Sequence, residues 1–305
     1  MLYCTLGTPS RFDTDVAFDC MRRNRHGLRG ILICLWCIGL AGVVSGQTAA
    51  SRLIPDDNLS YPVLIRIGTT AGSGFYLTTE KDVFLVTATH VLFEADRRTL
   101  IGTQAEALSY ASDPKERTQA VFRLDLKALS ESGNIKIDNL HDVAVVRVAL
   151  VTGEGAAMTS RPMPGVVMRS VPKSGFVTAG TQSVKRFADV LVSNEVIVFG
   201  YPSSLGVPNI PQLDYSRPLL RKGIIAGTNE ALKSIVLDCP VYPGNSGGPV
   251  VEVTRGGTGT RFRIIGVIIQ FVPFAQGDAA NVLSNSGYAV AAGMDAVLDL
   301  IETFR

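Results

Sequence analysis

The chain has 305 residues, of which 46% are hydrophobic and 18% charged, with a formal net charge of +2. At roughly 100–200 residues per domain this length suggests two domains or one large double unit, and the apolar fraction excludes a disordered chain. No basic stripe or block follows residue 30, which excludes the electrostatic footprint of a nucleic-acid or anionic-membrane binder.

The first fifty residues read as targeting sequence. Met21–Gly30 is a basic segment, MRRNRHGLRG, and Ile31–Val44 follows with no charged residue. Val44, Ser45 and Gly46 then supply small residues before a cut. Basic, apolar and small-residue regions in this order form a secretory signal peptide, with residues 1–46 removed and Met21 as the expected true start. The apolar run is shorter than the roughly 20 residues that span a bilayer. The uncharged stretch is longer, so residues 31–51 would act as a membrane anchor if left uncut. The expected location is exported, periplasmic or secreted. Five of the 29 basic and three of the 27 acidic residues lie before position 47, so the remainder is neutral. Of five cysteines only Cys239 survives the cut; no disulfide can form within the chain, and Cys239 is expected as a small core residue.

Residues 47–59 read as a loose leader. Short apolar runs broken by turns follow. Strands are predicted at Tyr61–Ile67, Ser73–Leu77, Val83–Thr87, Ala120–Leu126, Val143–Ala149, Glu195–Phe199, Lys222–Ala226, Ser234–Asp238, Gly248–Val253, Phe262–Phe271 and Gly287–Ala291. A short helical turn follows Thr89. Met294–Phe304 carries Met294, Val297, Leu298 and Ile301 at helical spacing. Thr152–Ser193 is weak in pattern and rich in Gly, Pro and Ser, which suggests a crossover between two β units.

Three places could carry chemistry. Pro243–Pro249 reads PGNSGGP, a serine framed by glycines, able to expose a hydroxyl and turn backbone N–H groups toward an oxyanion. Its ordinary reading is a Gly-rich turn. A serine nucleophile needs a base, and His90, at the end of an apolar strand, is the better placed of the two histidines beyond the signal segment. Its ordinary reading is a satisfied structural histidine. His141 has a charged neighbour and is expected at the surface. Asp142 heads the apolar run DVAVVRV and could orient the base. The order is then His90, Asp142, Ser246. The serine–acid–histidine order of α/β-hydrolases fails, because no histidine follows Ser246. The subtilisin order could formally use Asp82 or Asp57, but it belongs to an α/β chain. The His–Asp–Ser order on paired β-barrels agrees with both order and strand content.

Thr87–His90 (TATH), Asp142–Val145 (DVAV) and Gly244–Pro249 (GNSGGP) resemble the three signature blocks of trypsin-like (chymotrypsin-fold) serine proteases. Gly72–Phe75, Val196–Pro202, Lys222–Ile225, Ile265–Val267 and Gly287–Val290 extend the resemblance to bacterial Deg-type trypsin-like peptidases without a PDZ domain, over about residues 60–304. The fold class so implied is all-β: two packed six-stranded antiparallel β-barrels with a C-terminal helix. The first barrel would occupy 60–160, the crossover 161–192, and the second barrel with its helix 193–305. The implied function is a serine endopeptidase working through an acyl-enzyme on a protein or peptide substrate, with no metal and no organic cofactor. Ser246 would attack, His90 would move the proton, Asp142 would orient His90, and the N–H groups of Gly244 and Ser246 would form the oxyanion hole. Pro240, Val241, Ile269, Gln270 and Phe271 would line the substrate pocket. Two readings stand beside this one: a catalytically silent binding scaffold of the same fold, and an esterase using the same triad.

Two departures from the family pattern matter. Digestive members carry Asp immediately before the serine, to pair with a new N-terminus after cleavage; the residue here is Asn245, which cannot form that ion pair. The resemblance then implies that the oxyanion loop is held otherwise, as in Deg-type proteases, or ordered by a ligand. The trypsin-like pocket acid is replaced by Pro240, which suggests small or medium apolar residues before the cut bond.

Overall fold

In the computed structural model the described residues are 54 and 56–304, apart from 112, 114, 153–158, 203–210, 215–216, 257–258 and 276–282. The expected signal segment, its alternative anchor and most of the leader lie outside the described residues.

The first half is built on strands β1 (Pro62–Ile67), β2 (Thr70–Thr78), β3 (Asp82–Ala88), β4 (Gln104–Ser109), β5 (Ala120–Asp125), β6 (Ile135–Asp138), β7 (Val143–Thr152), β8 (Thr159–Pro162), β9 (Val166–Ser170) and β10 (Ala179–Gly180). They form one sheet in the order β6-β7-β3-β2-β1-β4-β5-β9, with β8 added to β7 and β10 paired in parallel to β2. The remaining pairings are antiparallel. β3 and β7 are the apolar runs VFLVTA and VAVVRVAL, and every residue of β3 is buried, as in a strand covered on both faces. The sheet curls around one core containing Val63, Ile65, Leu85, Phe122, Leu124 and Val146. Tyr76, Phe122 and Phe176 meet edge-to-face in it, with ring centroids 5.1–5.8 Å apart.

The second half is a closed six-stranded barrel, β11 (Glu195–Gly200), β12 (Leu219–Asn229), β13 (Ser234–Asp238), β14 (Pro249–Gly256), β15 (Gly259–Ala275) and β16 (Leu283–Gly293), in the order β11-β12-β13-β16-β15-β14. Val196, Val198, Ile225, Leu237, Cys239, Ile265 and Ile268 fill it. The C-terminal helix, Met294–Glu302, follows directly and returns to the first sheet, where Phe304 packs on Phe84 of β3 at 5.1 Å between ring centroids.

The all-β fold of two curled, mainly antiparallel sheets with a C-terminal helix is the one the chain adopts. In detail, the first half is a curled ten-stranded sheet rather than six strands. The extra strands come largely from segments with weak patterns. β4 buries only Ala105, Ala107 and Ser109 along its inward face, and alanine carries little strand signal. Part of the expected crossover is not a connector: β9 pairs with β5, and Phe176 is buried in the first core. A helix, Leu126–Glu131, also appears, started by Asp125, whose carboxylate accepts from the Ala128 N–H at 3.0 Å. Among the described residues no helix is long and apolar enough to cross a membrane.

Candidate active site

β3 runs into a single helical turn, α1 (Thr89–Leu92), which buries Thr89, Val91 and Leu92. His90 is the residue left facing out, with its side chain 43% exposed. The pairing of Ala88 with Val143 brings the start of β7 level with this turn. The carbonyl of Asp142 accepts from the Thr89 N–H at 2.9 Å, and its Oδ1 accepts from the His90 N–H at 3.3 Å. Its Oδ2 lies 2.6 Å from His90 Nδ1. A carboxylate offers only acceptors, so Nδ1 carries the proton and Nε2 presents its lone pair. Asp142 makes these contacts from a left-handed backbone at φ 57, a region that costs most residues and that Asp and Asn tolerate. Arg97, in the loop after α1, places its guanidinium 3.7 Å from Oδ1 and donates to the Asn139 carbonyl.

The serine sits on the loop between β13 and β14. The Asn245 N–H donates to the Tyr242 carbonyl at 2.9 Å, with Pro243 and Gly244 between them and Gly244 at φ 96. Pro followed by a positive-φ Gly is the pattern of a type II turn. Asn245 is fully buried, and its Oδ1 accepts from the Tyr242 N–H at 3.2 Å, closing the turn from inside. Among the described residues no acceptor takes the N–H of Gly244 or of Ser246. Gly247 donates to the Ile268 carbonyl at 2.7 Å. A Cβ on Gly247 would collide with the Ser73 carbonyl and the Thr87 hydroxyl and would sit 3.0 Å from the Ala88 N. This close approach sets the serine loop against the end of β3, two residues before His90.

The other histidine is not on the surface as expected. His141 is half-buried, with Nδ1 2.6 Å from Oδ2 of Asp138. Burial alone would push the Asp138 carboxyl up, but hydrogen bonds from His141 and Leu140 outweigh it and hold it below the ordinary range. His141 is thus a satisfied structural histidine.

Of the residues expected to line the substrate pocket, Val241 is buried in the second core and Phe271 packs against it. Ile269, at a bulge in β15, packs against the first core. Gln270 is exposed and Pro240 half-buried. The two walls are tied by Asn285, which pairs with Pro273 across the β15–β16 ladder and donates through Nδ2 to the Val241 carbonyl. Arg221 of β12 stacks 4.5 Å over the ring of Tyr242, beside the serine loop. Cys239 lies in the second core, and burial pushes its thiol up to about 11. Among the described residues no group of His, Cys, Asp and Glu is arranged to hold a metal ion.

Two residues at this site escaped the sequence reading. Arg97 carries no signal in its loop. Ser73 does carry one, a hydroxyl between two glycines on the buried stretch of its strand. It is fully buried where the two halves meet. Its N–H donates to the Ser246 carbonyl at 2.8 Å, and its Oγ donates to the Gly244 carbonyl at 2.6 Å while accepting from the Tyr201 N–H at 2.9 Å.

Residues 72–257 match the family model of the trypsin-like peptidase domain. No curated protein matches the chain. Similar solved structures include Deg5, at 16% identity over 81% of this chain and 90% of that one, with a TM-score of 0.46. Another is the HtrA-type protease AlgW with tripeptide, at 16% identity over 81% of this chain and 61% of that one, with a TM-score of 0.47. The Rv3671c protease in an inactive form matches at 12% identity over 80% of this chain and 89% of that one, with a TM-score of 0.41.

Proposed function

The chain belongs to the trypsin-like peptidase family, and from that premise we propose that it is a serine endopeptidase acting through His90, Asp142 and Ser246. The observation that carries this reading is the 2.6 Å contact between His90 Nδ1 and Asp142 Oδ2, on the side of the site where the serine loop meets β3. Nε2 of His90 takes the Ser246 hydroxyl proton as Oγ adds to the scissile carbonyl. Asp142 stabilises the imidazolium so formed. The negative oxygen of the tetrahedral intermediate is met by the N–H groups of Gly244 and Ser246. On collapse the C–N bond breaks, the amine leaves with the proton from His90, and an acyl-Ser246 ester remains. Water then adds by the same proton path and releases the acid.

The free N–H groups and the positive φ of Gly244 support a productive loop rather than a silent scaffold. The test is labelling by a fluorophosphonate probe together with peptide hydrolysis. Wild type should label and hydrolyse; Ser246→Ala should lose both, with kcat down on the order of 10⁶. Equal labelling of the two proteins would overturn the assignment. Hydrolysis of esters with none of peptides would favour the esterase.

The mature chain is proposed to be exported after removal of residues 1–46, and a mature N-terminus at Gln47 by mass spectrometry is the expected result. Retention of residues 31–51 in a membrane fraction would point to the anchor instead. The pocket is proposed to take small or medium apolar residues before the cut bond, since Pro240 and Val241 offer no charge. A peptide library with strong Arg or Lys preference would contradict this.

A further inference from the structure

We infer that Ser73 is a positioning residue that bolts the oxyanion loop in its productive form, doing from the first sheet what an ion pair to the residue before the serine does in digestive relatives. The inference rests on the serine peptidase reading above and names how that same site is held ready.

Asn245 has no charge and can accept no new N-terminus as an ionic partner. Its buried amide closes the Tyr242–Asn245 turn from within, but it reaches no group of the first half that the structure records. The carbonyls of Gly244 and Ser246 flank the two N–H groups that would face an oxyanion. Each carbonyl belongs to the peptide that follows its residue, 244–245 or 246–247, so fixing both pins the backbone immediately after each of those donors. Ser73 engages both carbonyls at once, Gly244 through Oγ and Ser246 through its own N–H. A hydroxyl donates one proton, and that proton is committed to Gly244 at 2.6 Å, because Oγ receives the Tyr201 N–H on its other side. The Ser73 carbonyl is engaged too, accepting from the Thr87 hydroxyl at 2.7 Å, just before the helical turn that carries His90. Every polar atom of Ser73 therefore has a partner, in a position with no solvent exposure. Alanine at this position would leave the Gly244 carbonyl and the Tyr201 N–H buried without partners, and the loop free to turn.

The experiment compares full-length wild type with Ser73→Ala and Ser73→Cys, after thermal unfolding has established that each is folded. The first readout is kinetic. Ser73→Ala should lower kcat by about 10–100-fold with KM within about threefold, because the defect lies in stabilising the tetrahedral species. Affinity for a peptide aldehyde, whose adduct places an oxyanion in the same hole, should fall in proportion to kcat. Ser73→Cys, which keeps a weaker donor, should fall between the two. The second readout is amide hydrogen exchange over residues 242–248, expected to quicken by about tenfold in Ser73→Ala. An unchanged kcat, a loss confined to KM, or unchanged exchange would overturn the inference. If the alanine variant fails to fold, the cysteine variant carries both readouts against wild type, with equality overturning the inference. Exchange is read without turnover. A wild type that neither labels nor hydrolyses therefore rejects the peptidase reading, while the exchange comparison still decides whether Ser73 holds the loop.

Discussion

The Arg97 guanidinium lies 3.7 Å from Oδ1 of Asp142, the oxygen that the His90 ring leaves free. It is a second cation beside the carboxylate that, in the proposed mechanism, stabilises the protonated histidine. Its side chain is 37% exposed, and such ion pairs contribute about 0–1 kcal/mol. Asp142 is held besides by its contacts with Thr89 and His90. Arg97→Met should therefore lower kcat/KM less than about fivefold. Asp142→Asn should lower kcat by about 10⁴, because the amide favours the wrong tautomer of His90. Steady-state kinetics on the two variants check this, and a larger loss in Arg97→Met would contradict it.

Gly200 closes β11 beneath the serine loop. A Cβ there would lie 2.6 Å from Asn245 Nδ2 and 3.1 Å from Ser73 Oγ. Gly200→Ala should thus overpack the seam by about 1–3 kcal/mol and slow fluorophosphonate labelling. Urea unfolding and labelling rates measure the two effects. A variant as stable and as quickly labelled as wild type would mean that the seam has slack.

Asp295, in the first turn of the C-terminal helix, accepts from the Phe187 N–H at 2.7 Å and faces Arg186 and Lys233 at 3.5 and 3.7 Å. Burial opposes its ionisation, but the Phe187 N–H and the two cations outweigh it, so the carboxyl sits below its ordinary range. A group depressed on folding stabilises the protein above its unfolded value and loses that contribution as pH falls through the folded one. Asp295→Asn should cost about 1–3 kcal/mol at neutral pH, and the gap to wild type should narrow below about pH 4. Thermal unfolding across pH 3–7 reads this; a gap that widens toward acid would refute it.

Cys239 is fully buried, and burial holds its thiol up near 11. In the folded protein at pH 8 it should resist alkylation, and it should react promptly in denaturant. Mass spectrometry after iodoacetamide treatment separates the two states.

What could be read from the residues follows contact range. β3 and β7 are continuous apolar runs and announce themselves locally, as do the three blocks around His90, Asp142 and Ser246. β4 stays hidden because its inward residues are alanines and a serine. β9 and β10 stay hidden because each is short and owes its existence to a partner elsewhere in the chain, β5 or β2. Ser73 is the extreme case. Its side-chain partners lie 171 and 128 residues away, and no periodicity of its own strand points to them. The setting of His141 is hidden for a different reason: its partner Asp138 is three residues away, but a neighbouring charge points to solvent instead.

Asp142 works from a backbone conformation in which Asn is at least as comfortable as Asp. The substitution expected to impair the proposed chemistry is therefore one that the backbone there accommodates. One base change in an Asp codon makes it. A lineage carrying this architecture would have a short evolutionary road from peptidase to inert, fully folded binding protein. Descendants that took it would betray themselves by asparagine at this one position, beside an intact histidine and serine.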